Sequence, residues 1–175
     1  SDILGFAFSW VCGDLWFLAE LFVAPGQQGR GIGNELLART LAHAETKKAT
    51  RKALITFAFN TVSQGLYVQH GLLPRLPPNF LKISRDTLLN GLQNASIQSA
   101  ALKATDLQHL SDIDAHALGT SREKHHRYLM SDSGMTGFLL HSGDECIGYL
   151  YVNSEGHIGP LAVTRAAAAA TCFGW

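Results

Sequence analysis

Four glycines stand close together in a short segment between an apolar run and an amphipathic one. The run Leu15–Val23 is typical of a β-strand, and from Ile32 onward apolar residues recur with the period of an α-helix. A glycine-rich turn between a strand and a helix directs several backbone N–H groups, with the positive end of the helix dipole, toward one spot that suits phosphate. The order of elements therefore predicts a backbone anion cradle at Gln28–Asn34.

The spacing of residues separates three kinds of phosphate loop. A Walker A loop that starts at Gly26 would need Lys and then Ser or Thr, where this chain has Ile32 and Gly33. A dinucleotide fingerprint, Gly-x-Gly-x-x-Gly, has Asn34 in place of its last glycine when it is read from Gly29. Read from Gly31, it has Leu36 there. The segment does fit the pattern Gln-x-x-Gly-x-Gly.

This pattern, Gln28-Gly29-Arg30-Gly31-Ile32-Gly33 directly after an apolar strand, resembles the acyl-CoA signature of the GNAT superfamily of N-acetyltransferases. A second landmark supports the resemblance: Asn60, Ser63, Leu66-Tyr67 and His70-Gly71-Leu72 are similar to a family segment downstream of the cofactor site. Together the two landmarks cover residues 3 to 84. The resemblance implies acyl transfer from acetyl-CoA, the co-substrate, to a primary amine by direct attack in a ternary complex. A noncatalytic CoA-binding or regulatory module is the alternative.

The resemblance also assigns roles to residues. Leu21–Val23, at the end of the strand, would present backbone groups to the pantetheine arm, and Asn60 would contact this arm farther along. The segment Gln28–Asn34, which we call the glycine loop, would hold the diphosphate. Tyr67 would be a candidate catalytic residue, a general acid toward the departing thiolate; a core tyrosine is the alternative. The candidate cofactor-binding residues are Leu21, Phe22, Val23, Gln28, Gly29, Arg30, Gly31, Ile32, Gly33, Asn34 and Asn60.

Glu20 is the second candidate catalytic residue, because a lysine-like amine with a pKa of about 10.4 needs a base to remove its proton at neutral pH. Alternation along the strand puts Glu20 on the face opposite Ala19, Leu21 and Val23. Glu20 could equally anchor a cationic substrate or simply reach solvent. The sequence leaves these three roles open.

Turn signals and periodicity predict the remaining elements of the first part. Gly13-Asp14 joins Ile3–Val11 and Leu15–Val23 as a hairpin. A strand is expected at Ala53–Phe59 and a short helix at Ser63–His70, which Gly71 would close in a left-handed conformation. Another strand is expected at Phe80–Ile83.

The second part begins after a polar segment, Asn90–Ser99, that looks like a linker. Helices are predicted from Thr105 to Leu118 and from Ser121 onward. Strands follow at Thr136–His141, Cys146–Val152 and His157–Val163. We therefore divide the chain into 1–90 and 91–175. The resemblance implies that 1–90 is an acyl-CoA-binding half of a GNAT domain and that 91–175 is the first half of a second GNAT-like repeat.

The second part repeats a strand pair of the first. Ile147–Tyr151 resembles Leu4–Phe8, and Pro160–Val163 resembles Glu20–Val23, but no glycine loop follows the second copy. The resemblance implies an α/β (α+β) fold, a mixed and mostly antiparallel twisted sheet flanked by helices, with shifted element order, as in a fragment of a tandem-GNAT protein. We expect the halves to pack as one composite unit, within one chain or as a homodimer that exchanges sheet halves.

Polar clusters and cysteines give no metal-binding spacing. His125 and His126 cannot both face inward on one helix, so an exposed helical face is expected for them and an amphipathic helix for Asp112–His116. The three cysteines form no zinc pattern, and no metal is predicted. Ala166–Trp175 could start a helix and has no match in the family.

Charge and hydropathy limit the partners. Lys plus Arg and Asp plus Glu number 14 each, so no net field favours nucleic acid or an anionic membrane. The apolar runs are too short to span a bilayer, and no export signal is recognisable. A small-molecule or peptide amine is the expected acceptor, and the cytoplasm is the expected location.

Overall fold

The computed structural model describes residues 2–77, 84, 86 and 97–171. The chain divides into two compact units, Ser1–Phe80 and Leu81–Trp175. The strand predicted at Phe80–Ile83, most of the predicted linker and the last residues of the tail lie outside the described residues. The composite packing of the two halves stays a prediction.

The first unit is a three-stranded sheet with two helices. Strand β1 (Gly5–Cys12) pairs antiparallel with β2 (Leu15–Val23) through the predicted hairpin. Strand β2 pairs parallel with β3 (Arg51–Leu54), so the strand order is β1-β2-β3. A short 3-10 helix, Pro25–Gln27, precedes the glycine loop. The elements are β1 Gly5–Cys12, β2 Leu15–Val23, α1 Ile32–Thr46, β3 Arg51–Leu54 and α2 Thr61–Gln69.

A β-bulge interrupts the alternation of β2. Phe8 pairs with Glu20 and Ser9 pairs with Leu18, so Ala19 is the extra residue. Ala19 and Glu20 are consequently both exposed, although they are neighbours in a strand. The expectation that Ala19 shares a face with Leu21 is therefore wrong, because strict alternation does not continue through a bulge.

One face of this sheet forms the core of the first unit, and the other is aromatic and open. Trp16 and Leu18 of β2 pack with Leu37 and Leu41 of α1 and with Tyr67 of α2. On the other face Phe6 and Phe22 lie opposite each other with ring centroids 5.4 Å apart. The apolar burial that stabilises the unit thus lies on the helix side.

Strand β3 is shorter than predicted. It ends at Leu54, whereas the apolar run continues to Phe59. The backbone carbonyls of Phe57 and Ala58 accept the side-chain amide of Gln64, at 3.1 and 2.7 Å, and the N–H of Asn60 also bonds to Phe57. These bonds turn the chain into α2, so it leaves the sheet.

Among its described residues the second unit contains an antiparallel sheet of four strands that neighbour one another in sequence order. Two helices lie between its first strand, β4 (Gln98–Ala101), and its second. The predicted helices and the hairpin at Ser142–Asp144 are confirmed. Strand β4 was missed because Gln98 and Ser99 resemble a linker. The elements are β4 Gln98–Ala101, a 3-10 turn Ala104–Asp106, α3 Leu107–Leu118, α4 Glu123–Ser131, β5 Met135–Ser142, β6 Glu145–Asn153, β7 Ile158–Val163 and α5 Ala166–Thr171.

The two strand pairs that resemble each other in sequence also share backbone features. Gly5 pairs with Val23 in the first unit, and Gly148 pairs with Val163 in the second. The residue after each pair makes the same bond, Ala24 N–H to Leu4 O and Thr164 N–H to Ile147 O, both 2.9 Å. The register of β6 and β7 also shifts between Leu150 and Val152, at the position that corresponds to the bulge in β2.

Candidate functional site

The glycine loop closes the carboxyl end of β2 and opens α1, as predicted. The first helical hydrogen bond runs from the N–H of Glu35 to the carbonyl of Gly31, 3.0 Å. The N–H groups of Ile32, Gly33 and Asn34 therefore precede the helical ladder. Among the described residues no side chain caps this helix. Several backbone donors thus remain available at the positive end of the α1 dipole.

Two glycines give the loop its shape. Gly29 and Gly31 have φ values of 74° and 80°, in the left-handed region that strains other residues. A Cβ added at either would have no described atom within 4 Å, so open space lies beside the backbone. The side chain of Gln28 turns back and donates to the carbonyl of Val23, 3.3 Å, while Arg30 bonds to the side chain of Gln27. The loop is therefore held by its own side chains and leaves its glycines open.

Beside the loop, β2 has an edge that β3 leaves unpaired. The parallel ladder begins at Leu15–Arg51 and ends at Leu18–Leu54. From Ala19 to Val23, β2 has no partner from β3 in the described part of the chain, while residues 55–59 leave the sheet. Leu21, Phe22 and Val23 thus lie in a strand whose edge toward β3 is open.

Helix α2 carries the second predicted group of residues. Asn60 caps it, since its Oδ1 accepts the N–H of Ser63, 3.2 Å. Tyr67 lies in the core with 8% of its surface exposed, and burial raises the pKa of its hydroxyl, although a hydrogen bond with Ser63 opposes the shift. Gly71 has the predicted left-handed conformation, with φ of 76°. Tyr67 is therefore a protonated, largely buried phenol.

Glu20 lies on β2, just past the end of the β3 ladder and next to the bulge. Its side chain is exposed and shares the outer face with Phe22. An exposed carboxylate at this position is compatible with a base, with a substrate anchor and with a solvated side chain. The three roles considered for Glu20 remain open.

The second unit contains a buried polar cluster that sequence reasoning missed. Asp114 of α3 is 0% exposed and its carboxylate is surrounded by donors from α4 and β6. Arg122 donates from Nε and Nη2 at 3.0 and 2.9 Å, and the hydroxyl of Tyr149 donates at 2.6 Å. His126 Nε2 lies 3.0 Å from Asp114, and its Nδ1 lies 3.0 Å from the hydroxyl of Tyr151. We call these five residues the Asp114 network.

The protonation states of this network follow from its contacts. Burial alone would raise the pKa of Asp114, but hydrogen bonds from His126, Arg122 and Tyr149 outweigh it and hold that pKa well below its usual range. Burial raises the pKa of Tyr149, and it raises the pKa of Tyr151 to about 12. Asp114 is thus an ionised carboxylate, and both tyrosines keep their protons to donate.

The expectation that His125 and His126 form an exposed helical face is wrong for His126, whereas Asp112–His116 lies in a helix with one buried side, on which Asp114 is found. His126 is 1% exposed, and it lies three and four residues before Leu129 and Met130, which pack against the same core. Asp114 follows Leu110 by the same spacing. A spacing of three or four residues from apolar positions on the same helix is the sequence signal that could have predicted the burial of His126 and Asp114.

The described residues contain no group of three His, Cys, Asp or Glu side chains placed to hold a metal ion. Within the same residues, no helix has the length and apolar character needed to cross a membrane. Cys12 is buried, and burial raises the pKa of the Cys146 thiol, an effect that its hydrogen bond to the carbonyl of Gly148 opposes.

Solved structures share this fold. A candidate acetyltransferase from Pyrococcus horikoshii superposes with a TM-score of 0.65 at 18% identity, over 98% of this chain and 55% of that one. A GCN5-related N-acetyltransferase from Kribbella flavida gives 0.53 at 17% identity, over 99% and 46%. One from Anabaena variabilis gives 0.50 at 12%, over 97% and 47%. The chain spans about half the length of these proteins, and at such identities the likeness shows the fold alone.

Comparison of the sequence with protein families finds one similarity. No curated protein matches the chain significantly. The profile of the Acetyltransferase (GNAT) family matches residues 1–72, which include the glycine loop, the open edge of β2 and helix α2. The mixed α+β architecture, with antiparallel strand pairs flanked by helices, agrees with this match. Residues 1–72 of this chain are therefore similar to the Acetyltransferase (GNAT) family.

Proposed function

We propose that this chain takes part in acyl transfer from acetyl-CoA to a primary amine, by direct attack of the amine in a ternary complex. The observation that carries the proposal is the glycine loop at the start of α1, in a segment that matches the GNAT family. Acetyl-CoA would supply an activated thioester. The chain's own residues would bind the diphosphate and the pantetheine arm of acetyl-CoA. They would also take one proton from the attacking amine and give one to the departing thiolate.

The backbone donors and the shape of the loop support a diphosphate as its ligand. Backbone N–H groups of Gln28–Asn34 would bind the phosphate oxygens, since those of Ile32, Gly33 and Asn34 precede the helical ladder. The open space at Gly29 and Gly31 lets a ligand approach the backbone closely. Leu21, Phe22 and Val23, with Asn60, would hold the amide-containing arm along the open edge of β2.

Tyr67 would act as the general acid that protonates the departing thiolate. Its raised pKa keeps the phenol protonated at neutral pH, which an acid requires. Glu20, exposed beside the bulge, would accept the proton of the attacking amine or hold a cationic acceptor. The acceptor class that we propose is a small-molecule or peptide amine, with no metal ion in the reaction.

Calorimetry with CoA tests the loop. We expect Gly31→Ala to weaken CoA binding at least tenfold, because a side chain would enter the open space and the residue would need φ of 80°. Gly26→Ala is the matched control, since its Cβ likewise has no described atom within 4 Å and its φ is not positive. Equal affinity for wild type and both variants, or no binding by folded wild type, would sink the loop assignment.

Turnover tests the enzyme. Release of free thiol from acetyl-CoA is measured with a panel of amines for wild type and Tyr67→Phe. We expect at least one amine to raise the rate for wild type and Tyr67→Phe to lower kcat with little change in CoA affinity.

The alternative is a noncatalytic CoA-binding or regulatory module, and the core position of Tyr67 favours it, because a phenol with 8% exposure can serve packing alone. CoA binding without amine-dependent thiol release would select this alternative. Full turnover by Tyr67→Phe would remove only the role of Tyr67.

A further inference from the structure

A polar contact joins the first turn of α1 to the end of α2. His70 Nε2 donates to Asn34 Oδ1 at 2.8 Å, across 36 residues of sequence. Asn34 belongs to the glycine loop proposed for the diphosphate, and His70 is the residue that closes α2. The bond therefore connects the two parts of the first unit to which the proposed function gives separate tasks.

The surrounding contacts make this junction a defined one. A Cβ built on Gly33 would lie 3.6 Å from Leu66, so the residue before Asn34 also packs against α2. Leu66 and His70 are four residues apart, which puts them on one face of α2. Two neighbouring residues of α1 thus meet two residues of a single helical face, one by packing and one by hydrogen bonding.

Tyr67 is bonded directly to this junction through the backbone. Its carbonyl accepts the N–H of His70 and that of Leu72, both at 3.0 Å. At its other end α2 is fixed by the Asn60 cap. The side-chain bond of His70 therefore restrains the last turn of α2, which begins at Tyr67, relative to the start of α1.

We infer that the Asn34–His70 bond positions Tyr67 relative to the diphosphate loop, so that His70 is a positioning residue of the acyl transfer. This inference rests on the proposed function. Transfer rates depend steeply on sub-ångström placement of an acid, whereas an exposed hydrogen bond contributes little to folding. The effect should accordingly appear in kcat and far less in stability.

A double-mutant cycle tests the inference in the intact chain. His70→Leu removes the hydrogen-bond donor and puts an apolar side chain in its place. His70→Gln keeps a side-chain N–H and is the conservative control. We expect His70→Leu to lower kcat for amine acylation about tenfold, a coupling of ordinary size between contacting residues, with CoA affinity within about twofold of wild type. His70→Gln should recover most of the loss. In a Tyr67→Phe background, His70→Leu should cause no further loss, because the residue it positions is gone.

The outcomes separate this inference from the proposed function. If His70→Leu lowers kcat equally in both backgrounds, or leaves kcat unchanged while Tyr67→Phe lowers it, positioning is overturned and acyl transfer stands. If Tyr67→Phe itself is fully active, the inference fails together with the role of Tyr67. If wild type neither binds CoA nor releases thiol, both proposals fail. Circular dichroism melting of each variant checks that its fold is intact.

Discussion

Strands β1 and β2 pair as β6 and β7 do, yet the equivalent faces of the two pairs are in opposite environments. Phe6 and Phe8 of β1 are 46% and 56% exposed, whereas their counterparts Tyr149 and Tyr151 are both 0% exposed. In the second unit α3 and α4 pack over this face, and their Asp114, Arg122 and His126 bond to the tyrosine hydroxyls. One backbone pattern therefore supports an ionic, buried face in one unit and an apolar, open face in the other.

The chemistry at the ends of the strand pairs differs as well. The first pair continues into the glycine loop and α1, while the second continues through Thr164 and Arg165 into the alanine-rich α5. Glu20, a candidate catalytic residue, corresponds to Pro160. The backbone of the pair is therefore generic, and candidate function lies in the segments attached to it.

The largest difference between the units should appear when the Asp114 carboxylate is neutralised. Asp114→Asn leaves Arg122 without its charged partner inside the second unit, at a cost of about 3–5 kcal/mol in its free energy of unfolding. Hydrogen exchange on peptides from β6 and from β2 would measure each unit separately, and only β6 should lose protection. Asp112→Asn is the control, because that carboxylate is exposed on the same helix. Equal effects of the two variants would contradict a stabilising role for the network.

Lowering the pH should cause the same loss of stability in the second unit gradually, because it protonates Asp114. The folded pKa of Asp114 lies below its unfolded value of about 3.9, so the stabilisation is fully present above about pH 5 and is lost as pH falls toward the folded pKa. Unfolding of the second unit, followed by exchange in β6 from pH 6 to pH 3, should become easier in this window. Asp114→Asn should remove that part of the dependence. A pH profile unchanged by this substitution would rule out Asp114 as its source.

The glycines at the start of both strand pairs should be equally intolerant of a side chain. A Cβ on Gly5 would lie 2.6 Å from the carbonyl oxygen of Phe22, and one on Gly148 would collide with that of Ala162. Gly5→Ala and Gly148→Ala should each cost about 1–3 kcal/mol in their own unit, measured by urea unfolding. Gly33→Ala, with 3.6 Å clearance in a helix, should cost nothing. A neutral Gly148→Ala would show that the two pairs are not equivalent.

Exchanging the aromatic side chains should have the smallest effect. Tyr151→Phe gives β6 the residue of β1 and leaves His126 Nδ1 without its partner, at a cost of about 1–2 kcal/mol. Phe8→Tyr adds a hydroxyl to an exposed ring and should stay within about 0.5 kcal/mol. Thermal unfolding of both variants checks this asymmetry, which equal shifts would refute.

Much of the fold followed from local signals. Gly13-Asp14 and Ser142–Asp144 located both hairpins, and the loop glycines Gly29 and Gly31 proved to have the left-handed geometry that such a loop needs. These features depend on neighbours in the sequence, so local chemistry is enough to predict them.

The errors arose where side-chain hydrogen bonds decide the structure. The end of β3 depends on Gln64 bonding to the carbonyls of Phe57 and Ala58, which apolar periodicity cannot reveal. Asp114 and His126 are polar residues, and only tertiary partners from α4 and β6 make their burial favourable. The candidate site was predicted better in its backbone loop than in its side chains, since Tyr67 and Glu20 keep their alternatives.

The bulge in β2 determines which side of the sheet the residues after it face. The register shift at Ala19 has its counterpart in β7, where Gly159 stands at the equivalent position. Removing one residue there would turn every later side chain to the other side of the strand. In both pairs, the residues that follow the bulge therefore depend on one extra residue to keep their present side of the sheet.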